Sequence, residues 1–335
     1  IDRFRSGIEL IEYKEFVKDA FLCMNETFKT KLNPEARKSI KGWRLFQIVF
    51  IVSMIGEVVR SEYQDDRLLS KADIDVANLL YFPTGGGKTE AFLGVTVFNM
   101  FFDRIRGKDQ GITALLKYPL RLLAVQQLDR VLTIVMQANK IREAHPQLKG
   151  TTAFRVGFYV GQNNTPNRIS MSERLSNRDG QQKNLDLMLD SDTETLHEYY
   201  RSIDTCPCCG KKTINIHFNR ERWTLEHVCD NPECTAHTLP LFIVDSEIYR
   251  YLPSIVVSTI DKMSMIGTTN EFKMLFGQVK KWCPTHGFSV NSKCMCSDCG
   301  CNRQMQDVGY LKDPGPTLFI QDEMHLIKES LGTFD

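Results

Sequence analysis

The 335-residue sequence has no excess of either charge: 42 Lys and Arg face 41 Asp and Glu, a formal net charge of +1. No global basic field advertises a polyanionic partner, so any contact with nucleic acid has to be local. A membrane-length apolar run is also missing. The longest, Ile48 to Ile55, falls far short of the roughly 20 residues that cross a bilayer and reads as a buried helix. Behind Ile1-Asp2-Arg3-Phe4-Arg5 there is no apolar core of the kind an export signal needs. Low-complexity tracts and solenoid periods are absent. With 11 cysteines and no signal, a reducing cytoplasm is the expected compartment, which turns attention from disulfides to metal ligands. The chain starts at Ile1 rather than Met, as a piece of a longer polypeptide would.

What is present is a change of pattern. Residues 7 to 29 and Trp43 to Val59 carry apolar side chains at helical spacing, an N-terminal helical lead-in over residues 1–70. From there strands alternate with helices: Asn78 to Phe82, Lys88 to Ile105 (helix), Ile112 to Tyr118, Leu120 to Ile141 (helix), Arg155 to Val160, Ser254 to Ser258 and Thr317 to Gln321. Such alternation predicts an α/β domain over 71–335, a parallel sheet with helices on both faces. Two polar, Cys-containing stretches interrupt it, at 165–250 and 268–315.

Phe82-Pro83-Thr84-Gly85-Gly86-Gly87-Lys88-Thr89-Glu90 lies between an expected strand and an expected helix, the setting of a P-loop. Glycines let successive backbone N–H groups turn inward around a phosphate, and the helix N-terminus adds its positive dipole end. Lys88 then reaches the β- and γ-phosphates of ATP, and the Thr89 hydroxyl joins a Mg²⁺ shell. Phe82 stands where the general pattern has its first glycine. Far downstream, an apolar strand ends in Gln321-Asp322-Glu323-Met324-His325. Paired with a P-loop, the first acid orders Mg²⁺ and the second polarises the attacking water, making Lys88, Asp322, Glu323 and His325 the catalytic candidates.

These two segments resemble motifs I and II of superfamily-2 helicases, the second in its DEAH-like form. Between them, Tyr118-Pro119-Leu120-Arg121 opens a stretch similar to motif Ia. Val156 to Gly161 is similar to motif Ib, and Thr259-Ile260-Asp261-Lys262 to the later segment that touches the phosphodiester backbone. Gly42-Trp43-Arg44-Leu45-Phe46-Gln47 sits where this superfamily often places an adenine-reading glutamine. The resemblance implies a RecA-like P-loop NTPase fold, with ATP held by Arg44, Gln47, Thr84, Gly85, Gly86, Gly87, Lys88, Thr89 and Glu90. It also implies nucleic acid, DNA before RNA, held by Pro119, Arg121, Gly161, Thr259 and Lys262. The combination of WRLFQ, PTGGGKTEA, YPLRLLAVQQ and QDEMHLI followed by LGT looks like the large helicase of DISARM-type bacterial anti-phage defence systems. Met324 and the Lys-Glu-Ser after Ile327 depart from that form. A partner subunit of a defence complex is implied as well. So is a second RecA-like domain, whose motifs do not follow here, so this stretch alone is expected to bind nucleotide and turn it over poorly.

The cysteine stretches carry their own chemistry. Cys206-Pro207-Cys208-Cys209-Gly210 is followed by Cys229 and Cys234, spacings at which four thiolates close tetrahedrally on Zn²⁺. Cys206, Cys209, Cys229 and Cys234 are the favoured set, Cys208 a spectator, and His227 and His237 reserve ligands. In the second stretch Cys283 and His286 are matched with the CxxCG pair Cys296 and Cys299, while Cys294 and Cys301 compete for the same places. Two structural zinc sites are expected; an iron–sulfur cluster in the first set is the alternative. Both insertions flank the strand ending at Ser258, so they are expected beside the nucleic-acid track, where Lys211, Lys212, Arg220 and Arg222 add phosphate contacts. A second function class uses the same features differently: a nucleotide-switched scaffold that docks a partner through its zinc modules.

Overall fold

Apolar spacing over the first thirty residues produces two helices rather than one. In the computed structural model, α1 (Asp2–Tyr13) and α2 (Glu15–Lys29) are separated by Lys14, whose backbone is extended at φ −115° and ψ 110°. The described residues are 1–32, 42–64, 66–69, 77–81, 86–161, 165–169, 174–176, 182–184, 193–264, 269–296, 301 and 305–326. Thr84, Gly85 and Cys299 therefore lie outside them. α3 (Leu45–Val58) packs on α1, and α4 (Lys88–Ile105) packs on α2 and α3. A side chain at Gly7 would place its Cβ 2.0 Å from the Val52 carbonyl oxygen, so the close approach of α1 to α3 requires glycine there.

Every residue of α4 from Ala91 to Arg104 is buried, as expected of a helix apolar on all sides. Its end carries charge into that interior. Asp103 binds Arg106 at 2.8 Å and Lys108 at 3.1 Å, and none of the three side chains is more than 1% exposed. These helices belong to one of two compact units, Ile1–Lys31, Arg37–Asp109 and Ile134–Ala153.

The other unit comprises Leu32–Ala36, Gln110–Thr133 and Phe154–Asp335. Its elements are β1 (Ala114–Tyr118), the helix α5 (Arg121–Ala144) that continues into the first unit, β2 (Val156–Tyr159), the short hairpin β3 (Arg174–Ser176) and β4 (Gln182–Asn184), and α6 (Thr193–Tyr200). After them come β5 (Ile214–Asn219), β6 (Thr224–Cys229), β7 (Leu241–Phe242), α7 (Asp245–Tyr251), β8 (Ile255–Thr259) and α8 (Ile260–Ser264). The last are β9 (Lys281–Cys283), β10 (Gly287–Ser289), β11 (Gln306–Asp307) and β12 (Leu318–Gln321).

Five strands form a parallel sheet in the order β12-β1-β8-β2-β7. β2 and β8 are buried throughout and β1 nearly so, the near-continuous apolar pattern of strands covered on both faces. β12 and β7 are the edges, and Phe319 on β12 is 52% exposed. The fold is α/β with a helical N-terminus. Of the expected strand Asn78 to Phe82, Phe82 lies outside the described residues; residues 77–81 pair with no strand among the described residues, and Leu79 and Tyr81 are exposed. An apolar run becomes a strand only where a ladder partner satisfies its backbone, which local pattern does not report. Among the described residues no helix is long and apolar enough to cross a membrane.

Candidate nucleotide and metal sites

Gly87 caps α4 in the left-handed region, φ 92° and ψ 29°, so the helix begins at Lys88 with its first N–H groups unsatisfied by the helix itself. The turn is held from outside. The Arg44 guanidinium donates to the Gly86 carbonyl at 2.6 Å, and Gln47 Nε2 donates to the Gly87 carbonyl at 2.9 Å. A Cβ on Gly87 would fall 2.7 Å from Gln47 Nε2, a second reason for glycine beside its φ. Gln47 Oε1 accepts the Arg44 backbone N–H at 2.8 Å, which caps α3. Arg44, Gln47, Gly86, Gly87 and Glu90 are thus brought together. Both functions of the Gln47 amide are engaged with protein, so reading an adenine would require exchanging at least one of these bonds.

At the tip of β12, the Asp322 N–H donates to the Lys117 carbonyl, continuing the ladder with β1, and Asp322 Oδ1 accepts the Glu323 N–H at 2.9 Å. Glu323 sits at φ 47°, left-handed for a residue with a Cβ, and His325 Nδ1 lies 3.3 Å from its carboxylate. Such conformations store strain and cluster at functional sites. Burial, with the Asp322 charge second, holds the neighbouring Tyr118 phenol well above its ordinary range.

The expected backbone-contacting residues have mixed settings. Pro119 is buried, Arg121 is partly exposed, and the adjacent Leu122 is 76% exposed. Gly161, two residues past the end of β2, has φ 108°, and a Cβ built there would meet nothing within 4 Å. Thr259 is buried and its hydroxyl accepts the Lys262 N–H. Lys262 is not free at the strand tip: its ammonium donates to Asp245 Oδ2 at 2.5 Å and to Asn167 Oδ1 at 3.2 Å.

In the first Cys-rich module, the ligand atoms of Cys206, Cys209, Cys229 and Cys234 lie within 4.8 Å of one another. Cys206 Sγ is 3.8 Å from Cys234 Sγ, and Cys209 Sγ is 3.7 Å from Cys229 Sγ. A tetrahedron of Zn–S bonds of about 2.3 Å has an edge of about 3.8 Å, so the donor set fits the ion. The distances are far too long for disulfides. Gly210, at φ 72°, makes the knuckle turn, its N–H donating to the Cys206 carbonyl. Burial raises the Cys206 thiol to about 11. Burial acts the same way on Cys209, but the Lys211 N–H and the Asn231 side chain outweigh it and bring that thiol down to about 6. Cys208 stays outside the set, against Thr235. His227 is turned away: its Nε2 accepts the Ser202 N–H, and burial depresses it to about 3.

The second module departs from the expected ligands. Cys283 and His286 come together with Cys294 and Cys301 within 4.8 Å, rather than with Cys296, which is buried elsewhere. A CxxCG spacing reports only local convergence; which thiols reach Cys283 depends on the path between β10 and β11. His286 Nδ1 lies 3.6 Å from Cys283 Sγ, while Nε2 is 3.0 Å from the Glu221 carbonyl. A carbonyl only accepts, so Nε2 carries the proton and Nδ1 presents its lone pair to the cluster, the outer bond typical of a metal-ligating histidine. Three sulfurs and one nitrogen suit structural zinc.

No family model matches the chain. The DISARM protein DrmA of Bacillus paralicheniformis is 33% identical to it over 369 aligned residues, covering 99% of the chain. This is a DrmA-like sequence. The chain spans 31% of the length of DrmA, so the activity of the whole relative does not transfer by itself.

Sequence reasoning missed what joins the modules of this DrmA-like chain. Arg250 on α7, 1% exposed, donates to the carbonyls of Ser246, Arg222, Trp223 and His286. Tyr251 donates its hydroxyl proton to the Arg222 or Thr285 carbonyl, 3.2 and 3.0 Å away. Both modules are therefore anchored on one short helix. No local motif signals this; the arginine reads as surface charge until its burial is seen.

Proposed function

We propose that this chain is the ATP-binding half of a helicase or translocase acting on DNA in bacterial anti-phage defence, with two structural zinc sites. The observation that carries the proposal is the turn before α4. The carbonyls of Gly86 and Gly87 are tied back by Gln47 and Arg44, which favours N–H groups for an anion at the helix start. Lys88 and Thr89 serve the phosphates and their Mg²⁺, and Thr84 and Gly85, outside the described residues, belong to the same sequence motif. Asp322 orders the metal ion, Glu323 polarises water, and His325 orients Glu323. Arg121 and Gly161 line the backbone track beside Pro119, with the buried Thr259 and the Asp245-paired Lys262 set behind it, and a second RecA-like domain completes the motor. The likeness to DrmA supports the defence setting, a partner subunit and a cytoplasmic location.

The test is nucleotide binding and DNA-stimulated ATP hydrolysis. Lys88→Ala is expected to abolish ATP-Mg²⁺ binding by the chain; unchanged affinity overturns the P-loop assignment. In the complete polypeptide, Glu323→Gln is expected to keep binding and stop turnover.

A further inference from the structure

At the sheet edge where β2 and β8 end, a cavity of about 310 Å³ lies between the strand tips and the zinc modules. Tyr159 ends β2, Tyr249 and Asp245 come from α7, and Lys262 from α8; Trp223 of the first module and Met295 of the second are among the other lining residues. The interior is aromatic, and its lysine is paired with its buried aspartate. Tyr159 and Tyr249 meet edge to face with their hydroxyls 2.6 Å apart, and the Lys262 ammonium sits 4.8 Å from the Tyr159 ring while paired with Asp245. Arg250 spends its donors on four carbonyls. Lys262 and Arg250 are thus engaged with protein, while the exposed Arg168 and the half-buried Glu271 complete the charged lining.

The cavity wall has one need. Asp245 is 4% exposed, and its Oδ1 is buried with no hydrogen-bond partner among the described residues. A buried acceptor left unmade costs on the order of 1–3 kcal/mol, which an N–H donor recovers. Burial lifts the Asp245 carboxyl to about 6 in spite of Lys262, in keeping with a carboxylate short of donors. Ligand pockets run from roughly 300 to 1,000 Å³, so this one has room for a small planar group rather than a dinucleotide.

We propose that this cavity is a nucleobase pocket, which takes an unstacked base bearing an exocyclic amino group against its tyrosines and Trp223, with Asp245 accepting the amino proton. The chemistry is that of aromatic stacking with edge recognition by a carboxylate. As a base everted from a strand, the ligand rests on the nucleic-acid reading above; a free nucleoside offers the same groups. The zinc modules then wall a pocket rather than add phosphate contacts, in line with the ion pair of Lys211 with Glu233 at 3.4 Å and the stacking of Arg222 on Tyr251.

The experiment compares binding of the zinc-loaded chain to oligothymidylate and to the same strand with one central adenine, cytosine, guanine or abasic site, by fluorescence anisotropy. Free adenosine, cytidine and guanosine are titrated in parallel. An amino-bearing base is expected to bind about tenfold more tightly than thymine or the abasic site. Asp245→Asn, checked for two zinc equivalents, is expected to bring that ratio near one. Equal binding of all strands by the unaltered chain overturns the pocket and leaves the nucleic-acid reading standing. Nucleosides that bind with Asp245-dependent affinity while no strand binds uphold the pocket and overturn the nucleic-acid reading. Binding of neither overturns the pocket outright.

Discussion

The parallel sheet and the zinc modules lie in the same compact unit and are held by different forces. β1, β2 and β8 are four or five residues each and almost wholly buried, so their stability comes from apolar surface removed from water. The first module has one six-residue hairpin, β5 with β6, and the second has strands of two or three residues. A lone two-stranded hairpin and strands of two or three residues bury too little to stand alone, and the two ligand clusters, which fit structural zinc, are where such modules find a substitute for a core. One region is a product of area and the other is built around ligand sets that fit a metal, and α7, buried against both, is polar: Glu247 and Arg250 reach across it.

Three measurements sharpen or break this contrast. The largest effect is expected from Cys209→Ser, which removes a ligand from a metal site whose binding free energy is about 10–16 kcal/mol in small zinc modules. Elemental analysis should show one zinc equivalent lost, and hydrogen exchange should show β5 and β6 unprotected with β1 and β8 still protected. A variant that keeps its metal and its hairpin would mean the module is held by packing after all. The converse is Leu115→Ala in β1, fully buried. It is expected to cost about 2–5 kcal/mol in denaturant unfolding while zinc content stays unchanged.

The third concerns the border. Glu247 Oε1 accepts the Leu225 N–H at 2.7 Å, and burial raises its carboxyl to about 8, with Arg250 opposing. Its folded value lies above the unfolded one, so the folded state holds the proton longer. The stability it contributes is present below about pH 4.5 and is lost as pH rises through about 8, at no more than roughly 1.4 kcal/mol per pH unit. Glu247→Gln should flatten that decline. A wild-type midpoint independent of pH across this window would show Glu247 ionised and paired instead.

Much of this was legible in the sequence where a single local rule governs. α4 runs from Lys88 to Ile105 as expected, because a glycine turn starts it and an unbroken apolar stretch sustains it. The sheet strands at 114, 156, 255 and 318 lie within two residues of their expected starts. The first zinc set was readable because a hairpin brings CxxC and its partner pair together by short-range geometry. Elsewhere the deciding contact was distant in the chain. The break at Lys14 carries neither Gly nor Pro, residues 77–81 have no ladder partner among the described residues, and Cys294 and Cys301 depend on how β11 returns to β9. Lys262 looked available because nothing in its neighbourhood announces Asp245, seventeen residues away. Periodicity and spacing report what a residue can do; burial decides what it is left free to do.

The left-handed backbone at Glu323 has an evolutionary reading. Glycine, or asparagine to a lesser degree, relaxes a φ of 47°, so selection for thermal stability alone would move this position away from glutamate by gains on the order of 1 kcal/mol. A library screened only for heat resistance is therefore expected to enrich Glu323→Gly, and a glutamate kept there against that drift reports selection for something other than stability.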